Sequence, residues 1–348
     1  MKISVNLVTW NGVKYAPYLF DSLRTQTFHD FELRILDNGS SDGMVAAIKD
    51  ELSNFPAPHA FTERGENSGF AGGHNILIRS TLVDAAESTY MLLVNQDIIL
   101  EPDYLEKLVS FMDEHKDVGA ASGRLMKWDF PQLLGGASLA ESKTDRVDTL
   151  GLRVFKNRRV IDDRSGEVWR HDVAAPFEVF GVSGALPLYR TAAIKDISIN
   201  GEFFDEDFFS YKEDVDVAWR LRSAGWRAFI VPDAVAYHDR SAAGPETDKD
   251  IDVIKNRRRK SSIANFFSYR NHLLTLIKNE YAANYCRDFF RINWYEAKKK
   301  LYLLFFEPRT FWIGSWQILK LLPKMWRKRK VVASKRRMAA KEIRKWFV

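Results

Sequence analysis

The feature that most constrains the fold is an apolar run that ends abruptly in polar and acidic residues, Tyr90-Met91-Leu92-Leu93-Val94-Asn95-Gln96-Asp97. An uninterrupted apolar run predicts a strand buried on both faces, as in the middle of a parallel sheet. In open α/β sheets, ligands bind outside the carboxyl ends of the strands, which is where Asp97 stands. The run therefore predicts an α/β protein with a metal or ligand site at Asp97. The alternative is that Asp97 only begins a loop.

Charge and cysteine content narrow the class of protein. The single cysteine, Cys286, excludes an internal disulfide and fits a reducing, cytoplasmic setting. Residues 1–8 enter a strand directly, without the apolar stretch of an export signal.

The formal charge of +6 is concentrated in residues 324–348, which carry about +10 and leave about −4 for the rest. A basic end on a mildly acidic body favours attachment to an anionic surface over nucleic-acid binding.

The first forty residues alternate between strand and helix patterns. We expect a strand from Ile3 to Trp10, a helix from Tyr15 to Gln26 and a strand from Phe31 to Leu36. Short links imply a right-handed parallel crossover, so Asn11 and Asp37 should lie at the same sheet edge as Asp97. Further helices are expected from Pro102 to His115 and after Asp214, and further strands from Val118 to Met126, Trp226 to Val231 and Ala234 to His238.

A glycine-rich stretch, Asn67-Ser68-Gly69-Phe70-Ala71-Gly72-Gly73-His74-Asn75, precedes an apolar helical pattern. Three glycines before a helix allow a ligand to approach the backbone closely, and the helix start offers N–H groups to a phosphate. The alternative is an ordinary glycine-rich loop.

Two further signals have both a catalytic and a structural interpretation. Glu213 and Asp214 follow an acidic and aromatic run and precede a helix that ends at Gly225. They are either catalytic carboxylates or helix-capping groups, with Asp214 as the N-cap. His238 ends a strand and is either a metal ligand or a structural histidine.

From about Ser261 the pattern becomes helical, aromatic and basic. The range 301–322 is apolar, but its charged residues and proline leave it too short to span a membrane. We expect Phe305, Phe306, Trp312 and Trp316 to enter the membrane interface while the basic range 324–345 meets anionic lipid. The alternative is a helical bundle packed on the main domain or on a partner. Residues 1–260 are expected to form the catalytic domain and residues 261–348 a membrane-associating helical region.

Together these stretches resemble the inverting family 2 glycosyltransferases with the GT-A fold, particularly their rhamnosyltransferase-like branch. The resemblance covers about residues 3 to 240. Its motifs are Thr9-Trp10-Asn11, Asp37-Asn38-Gly39-Ser40-Ser41-Asp42-Gly43, the glycine-rich stretch, Asn95-Gln96-Asp97, Gly181-Val182-Ser183-Gly184-Ala185 and Glu213-Asp214 with Trp219-Arg220-Leu221. The resemblance implies an α/β GT-A fold, with a Rossmann-like, mostly parallel central sheet flanked by helices and a C-terminal helical extension.

The resemblance also implies roles for individual residues. Asp214, beside Glu213, would be the catalytic base, and Asp97 with His238 would bind Mg²⁺ or Mn²⁺. Asn95 stands where many members have Asp, which argues against a clamp of two carboxylates. Ser183, Gly184, Trp219 and Arg220 would contact the acceptor or the sugar. The donor nucleotide would be bound by Thr9, Trp10, Asn11, Asp37, Asn38, Asn67, Gly69, Phe70, Gly73, Asn75, Asn95 and Gln96.

The implied reaction moves a sugar, with inversion, from a nucleotide-sugar to a hydroxyl of a cell-surface glycan or lipid-linked acceptor. The first candidate donor is dTDP-L-rhamnose, and the enzyme would act on the inner face of the cell membrane. The alternatives are a UDP-sugar donor, a nucleotidyltransferase of similar architecture and a non-catalytic scaffold for glycan assembly. No nucleic-acid partner is expected, and the sequence leaves a homodimer open.

Overall fold

The protein is described here from a computed structural model that covers residues 1–170, 173–240, 257 and 261–348. Its first strands are β1 (Ile3–Thr9), β2 (Phe31–Asp37), β3 (His59–Glu63) and β4 (Tyr90–Asn95). β1 pairs in parallel with both β2 and β4, and β2 pairs in parallel with β3. Thr9 lies opposite Asp37, and Val8 lies opposite Asn95. The predicted shared edge at the strands' carboxyl ends is therefore present.

The remaining strands are β5 (Ile98–Leu100), β6 (Val118–Trp128), β7 (Lys143–Thr149), β8 (Leu152–Val154), β9 (Val160–Asp162), β10 (Phe177–Glu178), β11 (Leu188–Arg190) and β12 (Arg227–His238). Beyond β4 the sheet continues in the order β11, β6, β12, β10, while β8 and β9 form a separate hairpin. β11 runs antiparallel to both of its neighbours, so the sheet is parallel on one side and mixed on the other. The predicted α/β class is confirmed. The two strands expected between Trp226 and His238 are one strand, with a register shift between Val231 and Val235.

The helices before residue 240 are α1 (Ala16–Arg24), α2 (Met44–Leu52), α3 (Gly69–Asp84), α4 (Tyr104–Glu114), α5 (Phe130–Leu134), α6 (Leu139–Ser142), α7 (Thr191–Ile197) and α8 (Glu213–Ser223). Two helix starts differ from the sequence prediction. α3 begins at Gly69, so the glycine-rich stretch forms its first turns and not a loop before it. A side chain at Gly73 would put Cβ 2.9 Å from Val8 Cγ1, so glycine lets α3 pack directly on β1. The N-cap of α8 is Lys212, and Asp214 lies in its first turn.

Apolar side chains cover both faces of the central strands. On one face, Leu92 and Val94 of β4 join a cluster with Leu19 of α1 and Leu105 of α4. On the other face, Met91 and Leu93 join a cluster that includes residues of α3, α7 and α8. This arrangement explains why β4 has no polar side chain from Met91 to Val94, because neither face meets solvent there.

The C-terminal region is helical, as expected, with α9 (Ser262–Asn279), α10 (Ala282–Arg287), α11 (Phe289–Phe306), α12 (Pro308–Ser334) and α13 (Ala340–Arg344). None of the helices in the described ranges has the length and apolar character needed to cross a bilayer. The predicted aromatic residues are exposed at the turn between α11 and α12, with Phe305 at 73%, Phe306 at 66%, Trp312 at 65% and Trp316 at 60%.

Part of the basic tail packs inward, so not all of range 324–345 is available to lipid; contact of this range with a membrane remains a prediction. Lys328 is buried and its ammonium group contacts the carboxylates of Glu202, Asp205 and Asp207. Arg344 pairs with Asp288 at 2.7 Å. A buried ammonium group needs such partners to offset its lost hydration. These lysines and arginines therefore neutralise acids of the folded chain.

The last residues also join the core formed by residues before 240. Ile343 and Phe347 pack in one apolar cluster with Phe180 and Trp219. The backbone N–H of Val348 donates to the carbonyl of Val154 in β8 at 3.0 Å. The contacts favour the interpretation of the region as a bundle packed on the main domain.

Candidate active site

One cleft of about 390 Å³ collects side chains from the sheet edge, from α8 and from the C-terminal helices. It is lined by eight of the residues predicted for the site, namely Phe70, Asn95, Asp97, Ser183, Gly184, Glu213, Asp214 and His238. Asp97 follows β4, and β12 reaches it because His238 pairs with Ile98 of β5. The backbone N–H of Asn95 donates to the carbonyl of Ala185 at 3.0 Å, which places the Ser183–Gly184 segment beside the end of β4.

Asp97 and His238 form the candidate metal site. His238 Nε2 lies 3.3 Å from Asp97 Oδ1. Adjacent ligands of an octahedral divalent ion are roughly 3 Å apart when each metal–ligand bond is 2.0–2.1 Å, so this pair fits two neighbouring positions of one coordination shell. Among the residues that the structure describes, no three His, Cys, Asp or Glu side chains form a complete metal site. An ion here therefore needs further oxygen ligands, such as those of a diphosphate.

Asp148, in β7, contacts the other ring nitrogen of His238, the one that does not face Asp97. It is fully buried, and its Oδ2 lies 2.9 Å from His238 Nδ1. Burial lowers the pKa of His238, but the carboxylates of Asp97 and Asp148 outweigh burial and raise the pKa to about 10. A carboxylate on Nδ1 orients the ring and directs Nε2 toward a metal.

Glu213 and Asp214 occupy different environments in the first turn of α8. Asp214 is half-buried, and its carboxylate accepts hydrogen bonds from the backbone N–H of Val215 at 2.7 Å and of Gly184 at 3.4 Å. Glu213 is buried, and its Oε2 meets no hydrogen-bond donor among the described residues. Burial and the charge of Asp214 raise the pKa of Glu213 to about 8. Burial also raises the pKa of Asp214, but its hydrogen bonds favour the ionised form that a base requires.

The catalytic loop, residues 209–212, has an unusual backbone. Phe209, Tyr211 and Lys212 have φ angles of 63°, 72° and 73°. Positive φ in non-glycine residues costs on the order of 1–3 kcal/mol each and persists only where surrounding contacts enforce it. Here Asn271 of α9 supplies such contacts, since its Nδ2 lies 2.9, 2.9 and 2.8 Å from the carbonyls of Phe208, Ser210 and Tyr211.

The predicted donor residues at the ends of β1 and β2 form a hydrogen-bonded network. Asp37 is buried, and its carboxylate accepts from Thr9 Oγ1 at 3.0 Å, from the N–H groups of Gly39 and Ser40 and from Ser40 Oγ. These bonds fill the acceptor positions of a carboxylate, so Asp37 shapes the loop and does not face a ligand. Trp10 N–H donates to Gln96 Oε1 at 2.9 Å, which ties this loop to the end of β4.

The start of α3 is also engaged within the protein. Gly69 N–H donates to Asn67 Oδ1 at 2.7 Å, and Ala71 N–H donates to the carbonyl of Phe209 at 3.1 Å. Asn38 Nδ2 donates to Asn67 Oδ1 at 2.9 Å. The expectation that these N–H groups bind a phosphate is therefore corrected for Gly69 and Ala71. The Ala71 N–H holds the catalytic loop against the start of α3.

Three predicted site residues lie in the core, away from the cleft. Asn75 exchanges hydrogen bonds with the backbone of Phe204 at 2.8 and 2.9 Å. Trp219 is buried in the apolar cluster that includes Phe347. Arg220 is buried against Asp216 at 2.8 Å. Asn75 and Arg220 are matched by partners inside the protein, whereas Trp219 Nε1 has no hydrogen-bond partner among the described residues. None of the three lines the cleft, so their positions favour a structural role.

Sequence reasoning missed several residues that line the cleft. Three are cations, Arg159, Lys212 and Arg240, and two, Ser268 and Tyr295, come from the C-terminal helices. Arg240 Nη1 lies 2.6 Å from Asp162 Oδ2. Arg240 and Lys212 could have been noted because they stand beside the predicted residues His238 and Glu213. Nothing local to the sequence marks Asp148 or Tyr295, which only the tertiary fold brings to the site.

Comparison with known proteins identifies the first part of the chain. Residues 4–138 match the family model described as glycosyl transferase family 2. An uncharacterized glycosyltransferase, YfnE of Bacillus subtilis (strain 168), is 24% identical over 287 residues, which are 73% of this chain and 68% of that protein. The N-acetylglucosaminyl-diphospho-decaprenol L-rhamnosyltransferase of Mycobacterium tuberculosis (strain CDC 1551 / Oshkosh) is 25% identical over 250 residues, covering 69% of this chain and 76% of that protein.

A solved structure agrees on the fold. The crystal structure of GalNAc-T7 with UDP, GalNAc and Mn²⁺ superimposes with a TM-score of 0.60 and 11% sequence identity, covering 94% of this chain and 55% of that chain. The identity is low, so the likeness concerns the fold alone. The resemblance inferred from the motifs and the expected enzyme class are confirmed by these comparisons together.

Proposed function

We propose that this family 2 glycosyltransferase is an inverting enzyme that transfers L-rhamnose from dTDP-rhamnose to a hydroxyl of a cell-surface glycan or lipid-linked acceptor. The observation that carries the proposal is the presence, in one cleft, of a hydrogen-bonded base candidate, Asp214, and of the paired Asp97 and His238. The choice of rhamnose rests on the M. tuberculosis relative, whose printed name is that of an L-rhamnosyltransferase.

The proposed reaction is a single displacement at the anomeric carbon. Asp214 takes the proton of the acceptor hydroxyl, the hydroxyl oxygen bonds to the anomeric carbon, and the bond from that carbon to the diphosphate breaks. Removal of the proton during attack typically contributes roughly 10²–10⁴-fold to the rate. Because the oxygen attacks opposite the leaving group, the configuration inverts and no protein nucleophile is needed.

The leaving diphosphate is held by the other end of the site. Asp97 and His238 would bind Mg²⁺ or Mn²⁺, which neutralises developing charge on the diphosphate oxygens. Lys212 and Arg240 line the same cleft, where Arg240 is paired with Asp162. Asp148 keeps His238 Nε2 directed toward the metal position. The Mn²⁺ in the GalNAc-T7 structure agrees with a divalent ion in this type of fold.

A lipid-linked acceptor fits the surface beside the catalytic loop. An apolar groove of about 1090 Å³ runs between α9, α11 and α12 and is lined by Phe266, Phe267, Tyr302, Phe306 and Ile313 among others. Phe209 of the catalytic loop also lines it. We assign this groove to the lipid part of the acceptor, with the exposed aromatic residues of the α11–α12 turn resting on the cytoplasmic face of the membrane.

The test combines donor binding with transfer. Thermal shifts with dTDP, UDP, GDP and their common sugar conjugates, with and without Mn²⁺, identify the donor, since a ligand at 100 times its dissociation constant stabilises by about 2.7 kcal/mol. Asp214→Asn should keep the nucleotide shift and lose at least about 10²-fold in transfer to N-acetylglucosaminyl diphosphate on a short polyprenol. The exposed Asp30→Asn is the matched control. Transfer retained by Asp214→Asn would refute the base, and a shift confined to UDP would replace the dTDP donor.

A further inference from the structure

A second pocket, of about 500 Å³, adjoins the catalytic cleft. We call it the cationic pocket. One wall is α11, which contributes Arg291, Trp294, Tyr295 and Lys298 at helical spacing. The other wall is the turn between β8 and β9, which contributes Phe155, Lys156, Asn157 and Arg159, and Val348 completes the lining.

The pocket is strongly positive. Four of its nine lining side chains are Lys or Arg, and none of the described residues that line it is Asp or Glu. Arg291 keeps 63% of its side chain exposed, and its ion pair with Asp288 is long, at 3.7 Å. Arginine and lysine at close quarters favour phosphate groups, which accept several charge-assisted hydrogen bonds.

The turn that forms one wall is firmly held. Arg158 is buried at its tip, where Nη1 donates to Asp288 Oδ2 at 3.0 Å and Nε donates to Glu280. Its guanidinium also lies 4.3 Å from the ring centre of Phe347. Lys156 and Arg159 lie on either side of this fixed residue. The backbone that carries these two cations of the pocket is therefore held in place.

The cationic pocket and the catalytic cleft are neighbours that share two lining residues. Arg159 and Tyr295 line both, and β9, which follows Arg159, lines the cleft with Val160, Ile161 and Asp162. A ligand in the pocket can therefore extend a sugar toward Asp214 without leaving the protein surface.

One face of α11 connects the pocket to the apolar groove. Tyr295, Lys298, Tyr302 and Phe306 recur every three or four residues, and the last two line the groove. Eight residues of helix separate Lys298 from Phe306, a rise of about 12 Å. This face of α11 therefore contributes residues to the catalytic cleft, to the cationic pocket and to the apolar groove.

We infer that the cationic pocket binds the phosphate or diphosphate that joins the acceptor sugar to its lipid. The inference rests on the proposed function and specifies its acceptor: an anionic glycosyl phosphate, with the sugar at Tyr295 and Asp214, the phosphate at Arg291 and Lys298, and the lipid at Tyr302 and Phe306. The phosphate is bound and takes no part in the bond that forms. Trp294, which is exposed, offers its ring to a sugar face beside the phosphate.

The test uses N-acetylglucosamine 1-phosphate as the probe and methyl N-acetylglucosaminide as its uncharged counterpart, with the donor site filled by the nucleotide and Mn²⁺ that give the largest thermal shift. Titration calorimetry should show that only the phosphate probe binds, with an affinity that falls as salt is added. Arg291→Gln/Lys298→Gln should weaken probe binding at least tenfold. Lys300→Gln/Lys341→Gln removes the same charge from exposed positions outside the pocket and should change probe binding less than twofold.

Undiminished probe binding in Arg291→Gln/Lys298→Gln, an equal loss in the control, or equal binding of the uncharged probe would overturn the inference. Nucleotide binding is followed on the same samples, so a failure of the proposed donor chemistry is seen separately from a failure of the pocket. Vesicles of phosphatidylglycerol separate the two sources of phosphate. If the pocket variant loses vesicle binding and keeps its affinity for the soluble probe, the pocket binds lipid headgroups and the inference is rejected.

Discussion

Glu213 and Asp214 are adjacent in the sequence, yet only Asp214 is hydrogen-bonded at the cleft. Glu213 is buried with a pKa of about 8, so it is mostly protonated at neutral pH. Glutamine resembles a protonated glutamic acid in size and charge. Glu213→Gln should therefore keep most of the transfer activity at neutral pH, in contrast to Asp214→Asn.

The raised pKa of Glu213 also predicts how the free energy of unfolding depends on pH. A carboxyl group whose pKa is raised from 4.5 to about 8 on folding stabilises the protein fully below 4.5 and loses that contribution as the pH rises through 8. Relative to Glu213→Gln, the wild type should lose at least about 1 kcal/mol between about pH 5 and about pH 9. Denaturant titrations of both proteins measure this difference. Parallel pH profiles would show that Glu213 ionises normally.

In the proposed metal site Asp148 would be a positioning residue, because it would act on the metal through His238. Asp148→Asn leaves the ring without its carboxylate partner and should weaken Mn²⁺ binding by about 10–100-fold. The measurement is transfer, or donor binding, as a function of Mn²⁺ concentration. Excess Mn²⁺ should restore the maximal rate, which a general loss of folding would not allow. An unchanged Mn²⁺ titration would contradict the assignment of His238 as a ligand.

Among the site residues, those at strand ends could be predicted from the sequence better than the residues that the fold brings beside them. Asp97 and His238 could be predicted because a carboxylate or imidazole after an apolar strand lies at the ligand edge of the sheet. Asp148 could not, since it comes from β7 in a region without periodicity. Asp37 was placed at the correct edge, but the four hydrogen bonds that bury its carboxylate depend on the loop conformation.

Among the elements, α9 has the largest influence on the site beyond the sheet. Asn271 contacts the carbonyl of Phe208 and those of Ser210 and Tyr211 in the strained catalytic loop. The stacked rings of Phe209 and Phe267 lie 5.3 Å apart. Asn271→Ala should release the loop, lower kcat at least tenfold and leave nucleotide binding within about twofold, because the donor network lies on other elements. Asn293→Ala, an amide truncation on α11, is the control. A variant with a normal kcat would show that the loop keeps its conformation unaided.

Helix boundaries account for most of the differences between prediction and structure. The pattern placed α3 after its glycines because glycine usually disfavours helices. Close packing on β1 overrides that preference at Gly73, where a Cβ would meet Val8. The pattern also made Asp214 an N-cap, whereas Lys212 occupies the cap with a positive φ. Local rules fail here because tertiary contacts impose the backbone conformation.

For the molecule as a whole, the exposed turn between α11 and α12 predicts attachment to membranes. Trp312→Ala/Trp316→Ala removes two exposed rings and should lower binding to phosphatidylglycerol vesicles at least tenfold in a sedimentation assay. Phe290→Ala is the control, since Phe290 is exposed near the start of α11, about 24 Å along the helix from the turn. Vesicle binding that survives the loss of both tryptophans would assign attachment elsewhere.

The overall architecture followed from the sequence, but the relation between its two parts did not. The division at residue 260 remains a prediction of domain organisation. Composition suggested that the basic tail binds lipid. It could not reveal that Lys328 pairs with buried acidic residues or that Phe347 packs beside Trp219. The net charge of a segment does not give its surface charge, because folding buries or pairs some of the charged side chains.

The dependence of the catalytic loop on α9 has a consequence for the timing of synthesis. A chain is made from its amino end, so residues 1–240 are synthesised before Asn271. The nascent protein can form its sheet and the hydrogen-bonded loops around Asp37, while residues 209–212 still lack the amide that fixes them. We therefore expect residues 209–212 to reach their final conformation only after the C-terminal helices have been translated and have docked.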